Sequence, residues 1–296
     1  MNAERLIELA RAQLGEPADW SLATDAPWLQ RMYASPGVIA RVWELPTGEL
    51  SGSAAVRTEL RSLPPDPPAV IVNSMLSTGC EGLWDEQRAW IQAALDEAGI
   101  SRIPEAHVQV VSEALCDAEV ARWASSGFEV VFEELAMEFD LMVDGRSLLP
   151  RWPRGTRVLD WGTDAAAASF IVYDAAFRDR PGFPGWTRSE WTDRLTGGDD
   201  FLPAASLCVL VDAVPAGFVV CSQGWIDQAG VAPAYRRVGL ASALVTEAAA
   251  RMRAGGVTVA RLHVNTNNPA ALATWRSLGW KVVGRRGRFE RRSAPR

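Results

Sequence analysis

Apolar residues recur every four positions at Leu240, Leu244, Ala248 and Met252, and the run stops at Gly255-Gly256. That spacing predicts an amphipathic helix closed by a glycine cap. Upstream, Trp225–Val231 reads as a strand; strict alternation puts Trp225, Asp227, Ala229 and Val231 on one face and Gln228 on the other. Thr156–Trp161 and Val259–Val264 read as further strands, Ala165–Phe177 as an Ala-rich helix, and Ser206–Asp212 with Ala216–Ser222 as a hairpin. Thr187-Arg-Ser-Glu190 is a capping box that opens a short helix around Trp191. Trp280–Val283 and Gly287–Arg291 are expected to form a closing hairpin, and residues 1–11 an amphipathic helix.

The chemistry sits between the strand and the long helix, in Arg236-Arg237-Val238-Gly239-Leu240-Ala241-Ser242. A loop entering a helix N-terminus offers backbone N–H groups without intrahelical acceptors, and the helix dipole adds partial positive charge. Gly239 permits close backbone approach, Ala241 leaves room, and Arg236 and Arg237 bring cations to the rim. The stretch is a diphosphate cradle that lacks both a Walker lysine and a dinucleotide glycine fingerprint.

Composition narrows the rest. A length of 296 residues fits two domains, and 48% hydrophobic with 22% charged residues is that of a globular protein. A net charge of -6 argues against a nucleic-acid surface, and the basic stretch Arg285–Arg292 reads as a solvated hairpin and tail. Cys80, Cys116, Cys208 and Cys221 are scattered among only two histidines, which fits reduced thiols in a cytoplasmic protein and no zinc or other metal site. The first residues do not have the pattern of a signal peptide, and no apolar run has the length of a membrane span.

The cradle, preceded by Gly230-Val-Ala-Pro233, resembles the pyrophosphate loop of the GNAT acyltransferase superfamily. Leu262-His-Val-Asn265, then Asn268-Pro-Ala-Ala271, then Trp275-Arg-Ser-Leu-Gly-Trp280 follow in the order and spacing of that family's second half. The resemblance covers roughly residues 155–292. It implies an α/β fold with a mixed sheet flanked by helices, and acetyl-CoA or another acyl-CoA as co-substrate. It further implies that the backbone near Ala229 and Val231 holds pantetheine and polarises the thioester carbonyl, while Asn268 contacts the CoA arm. Capping of the helix at Pro269 explains Asn268 equally well.

A repeat runs through the chain. Trp123-Ala-Ser-Ser-Gly-Phe-Glu-Val-Val131 and Trp275-Arg-Ser-Leu-Gly-Trp-Lys-Val-Val283 share one template, 152 residues apart, and a His-Val pair precedes each, at His107 and His263. The stretch equivalent to the cradle, Val70–Asp85, has no arginine, and Glu81 and Asp85 would repel a diphosphate. The expectation is therefore two tandem GNAT-like domains: a degenerate one without a phosphate loop over 1–145, a linker at 146–155, and a CoA-binding catalytic domain over 156–296. That arrangement is similar to mycothiol synthase.

The implied reaction is direct attack of an amine on the thioester, which requires a group to take the ammonium proton. Asp227 is the first candidate, as base or as anchor for the cation, against the plainer reading of a strand-end carboxylate held by local N–H groups. His263 is the second, against the reading of a packed core histidine. Trp275 stands where many members carry a tyrosine acid, and indole cannot protonate a thiolate. The acceptor is expected to be the amine of a small polar molecule, bound with help from the loop Arg178–Trp186. Two alternatives stay open: an acyl donor on a carrier-protein phosphopantetheine, or a CoA-binding protein without catalysis.

Overall fold

The computed structural model describes residues 3–14, 33, 35–61, 69–100, 107–142, 148–180 and 183–291. Packing divides the chain into two units. One is Met1–Ala136 together with Val283–Arg296, and the other is Met137–Val282. The boundaries differ from the expected 1–145 and 156–296, because the last strand packs with the first unit; the expected linker begins outside the described residues.

In the first unit, helix α1 (Ala3–Leu14) precedes the antiparallel strands β1 (Val38–Glu44), β2 (Leu50–Arg61) and β3 (Ala69–Leu76). Then come α2 (Trp84–Glu97), β4 (His107–Ser112, parallel to β3), α3 (Asp117–Ser125) and β5 (Phe128–Asp140). Every residue of β3 is buried, as a central strand covered on both faces requires. The sheet order is β1-β2-β3-β4-β11-β5, where β11 (Lys281–Arg291) arrives from the far end of the chain and runs antiparallel to β4.

This strand corrects the expected closing hairpin. Gly287 does not turn the chain; it lies in mid-strand opposite Ser112, where a Cβ would stand 2.8 Å from Leu115 Cδ2 and 3.1 Å from the Phe132 carbonyl oxygen. The glycine is there for close packing. Two residues on, Phe289 is fully buried among Val72, Leu95, Val110, Trp123 and Phe128, a burial contributing on the order of 2–3 kcal/mol.

The second unit carries β6 (Thr156–Asp160), α4 (Thr163–Phe177), α5 (Arg188–Thr196), β7 (Leu207–Val211) and β8 (Val214–Ser222). It continues with β9 (Trp225–Val231), α6 (Leu240–Ala254), β10 (Val259–Asn265) and α7 (Pro269–Ser277). Its strands lie in the order β10-β9-β8-β7-β6, antiparallel apart from β9 with β10, and β10 is flanked by the last residues of β5, which from Met137 on belong to this unit. The Thr187–Glu190 capping box forms as expected, and Asp212 and Ala213 at φ 49° and 67° turn the β7–β8 hairpin.

Contacts within the units obey the 152-residue repeat. Arg285 meets Glu133 and Arg286 meets Glu134, each pair 152 residues apart. The Gln109–Glu290 hydrogen bond of the first unit recurs one repeat later, with its order exchanged, as the Arg261–Glu138 ion pair of the second. This register makes Val111 the counterpart of His263. His107 corresponds to Val259, so the two histidines are not repeat mates as the sequence suggested.

Gly287→Ala is expected to lower stability by about 1–3 kcal/mol through overpacking against Leu115 and the Phe132 carbonyl, measured as a lower midpoint in urea unfolding.

Candidate active site

The cradle begins where β9 ends. Ala232 N–H donates to the Ala216 carbonyl, Pro233–Tyr235 makes a single tight turn, and Arg237 and then Gly239 adopt left-handed backbone at φ 65° and 85°. Nothing lies within 4 Å of a Cβ built on Gly239, so its φ, and not crowding, calls for glycine there. Arg237, Val238 and Gly239 are exposed, Ala241 and Ser242 half-buried, and Leu240 is buried as the anchor of α6. The N–H groups of this first helical turn have no intrahelical acceptors. Arg236 departs from its expected place at the phosphate rim. Its side chain turns back, with Nε donating to the Val231 carbonyl and Nη2 to the Ala176 carbonyl, both at 3.2 Å. It braces the loop against β9 and α4, while the neighbouring Arg237 is exposed.

Beside the cradle two strands part. The parallel register of β9 and β10 consists of Trp225↔Arg261 and Ile226↔Leu262 and goes no further. From Asp227 to Val231, β9 therefore pairs with β8 on one side and faces a fork on the other. Asp227 is itself an inserted residue: Cys221 pairs with Ile226 and Val220 with Gln228, so β9 bulges at 227.

The bulge overturns the simple alternation. Gln228, opposite Val220, accepts a hydrogen bond from Trp191 Nε1 at 2.8 Å, on the face covered by α4 and α5. Trp225, opposite Ser222, shares that face. Ala229 and Val231 lie on the other, the α6 side, where a Cβ on Gly217 would meet Leu244. Four residues that alternation places together are thus split between two faces.

Asp227 keeps an open side toward solvent, but the protein packed around its carboxyl desolvates it and pushes its pKa up to about 6. The Ser222 hydroxyl, donating to Asp227 Oδ1 at 3.0 Å, partly opposes this, and the Asp200 charge adds to it. Ser222 and Asp200 went unnoticed in the sequence, since only the bulge and the bridge between Phe201 and Ser222 bring them to Asp227. His263 is half-buried, its ring stacked on Trp225 with centroids 4.9 Å apart. It lies on the half-buried face of β10 with Arg261 and Asn265, while Ala260, Leu262 and Val264 enter the core.

The remaining candidates have structural duties. Asn268 caps α7, its side chain accepting from Ala271 N–H at 3.2 Å. Trp275 is 8% exposed, part of the helix's buried face. Among the described residues, no group of three or more His, Cys, Asp or Glu side chains stands where it could hold a metal ion, and no helix is long and apolar enough to cross a membrane.

Residues 171–280, which lie within the second unit, match the acetyltransferase (GNAT) family model. A GCN5-related N-acetyltransferase from Sphaerobacter thermophilus superposes with a TM-score of 0.73 at 21% identity, covering 99% of this chain and 94% of that one. A tandem GNAT protein from the clavulanic acid biosynthesis pathway gives 0.60 at 14% identity, covering 100% and 96%. A glucosamine N-acetyltransferase region of a fungal multi-domain β-N-acetylglucosaminidase gives 0.59 at 13%, covering 97% of this chain and 37% of that protein. No curated protein matches the sequence. The chain has the GNAT acetyltransferase fold, and its whole length is similar to a tandem GNAT protein.

Because the folded-state pKa of Asp227 lies above its ordinary value of 3.8, the native protein holds this proton more tightly than the unfolded chain. The resulting stability is complete below about pH 4 and is lost as pH rises through about 6. Asp227→Asn is expected to be more stable than the natural protein at pH 8, by up to about 1 kcal/mol after allowance for solvent screening, and no more stable at pH 4, as read from urea unfolding at the two pH values.

Proposed function

We propose that the second unit transfers an acyl group, acetyl in the first instance, from coenzyme A to the amine of a small polar molecule. The observation that carries this reading is the fork between β9 and β10 opening beside a glycine cradle at the N-terminus of α6. A thioester arm entering the fork finds unpaired β9 backbone along Asp227–Val231 and binds as an added strand, with Ala229 and Val231 supplying main-chain bonds. The diphosphate of the same molecule reaches the N–H groups of Val238–Ser242 and the Arg237 guanidinium.

In this reading Asp227 serves the amine. An ammonium has no lone pair, and a carboxylate with a pKa near 6 is ionised at neutral pH while remaining basic enough to take its proton, directly or through water. The freed nitrogen attacks the thioester carbonyl, whose developing oxyanion is met by β9 backbone N–H. Collapse breaks the C–S bond and expels the CoA thiolate, and the second proton of the attacking nitrogen passes to water as the amide forms. The buried indole of Trp275 has no proton to offer it, so the thiolate leaves as the anion and takes a proton from water. Half-exposed Trp161, Phe201 and Trp225 around the carboxylates of Asp227 and Asp200 favour an acceptor with a cationic amine.

Calorimetric titration with acetyl-CoA is expected to show one site, weakened at least about tenfold by Gly239→Trp, which fills the open space over the cradle. Asp227→Asn is expected to bind acetyl-CoA as the natural protein does while losing roughly 10²–10³ in kcat/KM toward the best amine of a screened panel. In the natural protein kcat/KM should rise with pH and level off above about 6, and the variant should lack that limb. Absence of acetyl-CoA binding, or a limb that survives in Asp227→Asn, would refute the assignment.

A further inference from the structure

The first unit has a fork of the same kind, and the protein fills it with its own side chains. Strands β3 and β4 pair in parallel from Ala69↔His107 to Val72↔Val110 and then part. Just past the parting, Asn73 Nδ2 donates to the Val111 carbonyl at 2.8 Å, and the Tyr33 hydroxyl donates to Asn73 Oδ1 at 2.7 Å. Farther along, Gln13 of α1, 3% exposed, spans both arms. Its Oε1 accepts from Leu76 N–H at 2.7 Å, and its Nε2 donates to the Ala114 carbonyl at 2.8 Å. One amide thus accepts from β3 and donates to the segment just past the end of β4, the acceptor-and-donor pair that an extended amide chain would make between the two arms.

The neighbourhood of Gln13 is closed as well. Its Nε2 also reaches Glu119 Oε2 at 3.2 Å, and Ser112 Oγ donates to the same oxygen at 2.6 Å. Glu119 is fully buried; the residue one repeat later, 152 positions on, is Ala271, whose methyl leaves that space free. Where the first half would need free N–H groups for a diphosphate, Gly79 N–H donates to Glu81 Oε1 at 3.0 Å. The exposed carboxylate of Glu81 thus already takes an N–H on the approach to α2 and puts a negative charge there.

We propose that the first fork is a self-occupied site: the Gln13 amide holds there the position that a thioester arm takes in the second fork, and α1 is its plug. The inference rests on the reading of the second fork as a pantetheine slot. A chain without the plug takes linear diamides such as pantetheine in the first fork, and does not take CoA there, because Glu81 closes the cradle.

The test is hydrogen–deuterium exchange on the full-length protein saturated with acetyl-CoA, followed in peptides covering residues 73–77 and 227–231. Gln13→Ala is expected to speed exchange at 73–77 by roughly tenfold or more, and millimolar pantetheine to slow it again. Gln13→Met retains the volume but bonds neither arm, so its exchange should be fast and insensitive to pantetheine. Unchanged exchange at 73–77 in Gln13→Met overturns the plug even where Gln13→Ala does not fold. Fast exchange in Gln13→Ala that pantetheine leaves alone overturns the latent site. Protection of 227–231 by acetyl-CoA in the same samples reports separately on the second fork, so the two readings fail independently.

Discussion

A buried peptide group has to find a hydrogen-bond partner, and both units are organised around the place where two parallel strands stop supplying one another. In the second unit the parting comes after Ile226, and β9 presents its free edge beside a helix N-terminus. In the first it comes after Val72, and Asn73 and Gln13 take up the backbone groups instead. The same architecture therefore yields an open slot in one half and a closed polar core in the other. The difference lies in a handful of side chains and not in the strands.

Around the open slot, each neighbouring feature keeps the edge available. The bulge at Asp227 consumes one residue of β9 without a partner on β8, and it swings the carboxylate toward Ser222 and Asp200. Gly230 lets Phe177 of α4 and Phe218 pack directly onto the strand, since a Cβ there would stand 2.9 Å from the one and 2.6 Å from the other. Arg236 ties the cradle to the strand end and to α4. The desolvated carboxylate is the part of this arrangement that works against stability, a cost commonly met where chemistry is placed.

The elements whose signals are local were legible in the sequence. A glycine before a helix, a four-residue apolar period and a capping box each announce themselves within a few residues, and α6 and Thr187–Glu190 are found where they were expected, though Gly239 is called for by its left-handed φ and not by close approach. The bulge was not legible, because Trp225–Val231 looks like an unbroken strand and only its register with β8 shows the extra residue. Nor was the use of Arg236, whose charge suggested a phosphate and whose geometry serves two carbonyl groups. Gln13 is the hardest case: its partners lie 63 and 101 residues away, and a glutamine in an N-terminal amphipathic helix gives no hint of them.

The placement of β11 has a consequence for the order in which the protein can be built. Its residues leave the ribosome after all of β6–β10, yet Phe289 belongs to the core around Trp123 and Phe128. Until it arrives, the first sheet has a gap between β4 and β5, with strand edges bare and an aromatic pocket unfilled. The half that is synthesised first is thus the half that is finished last. During translation the first unit can complete its core only once β11 has emerged.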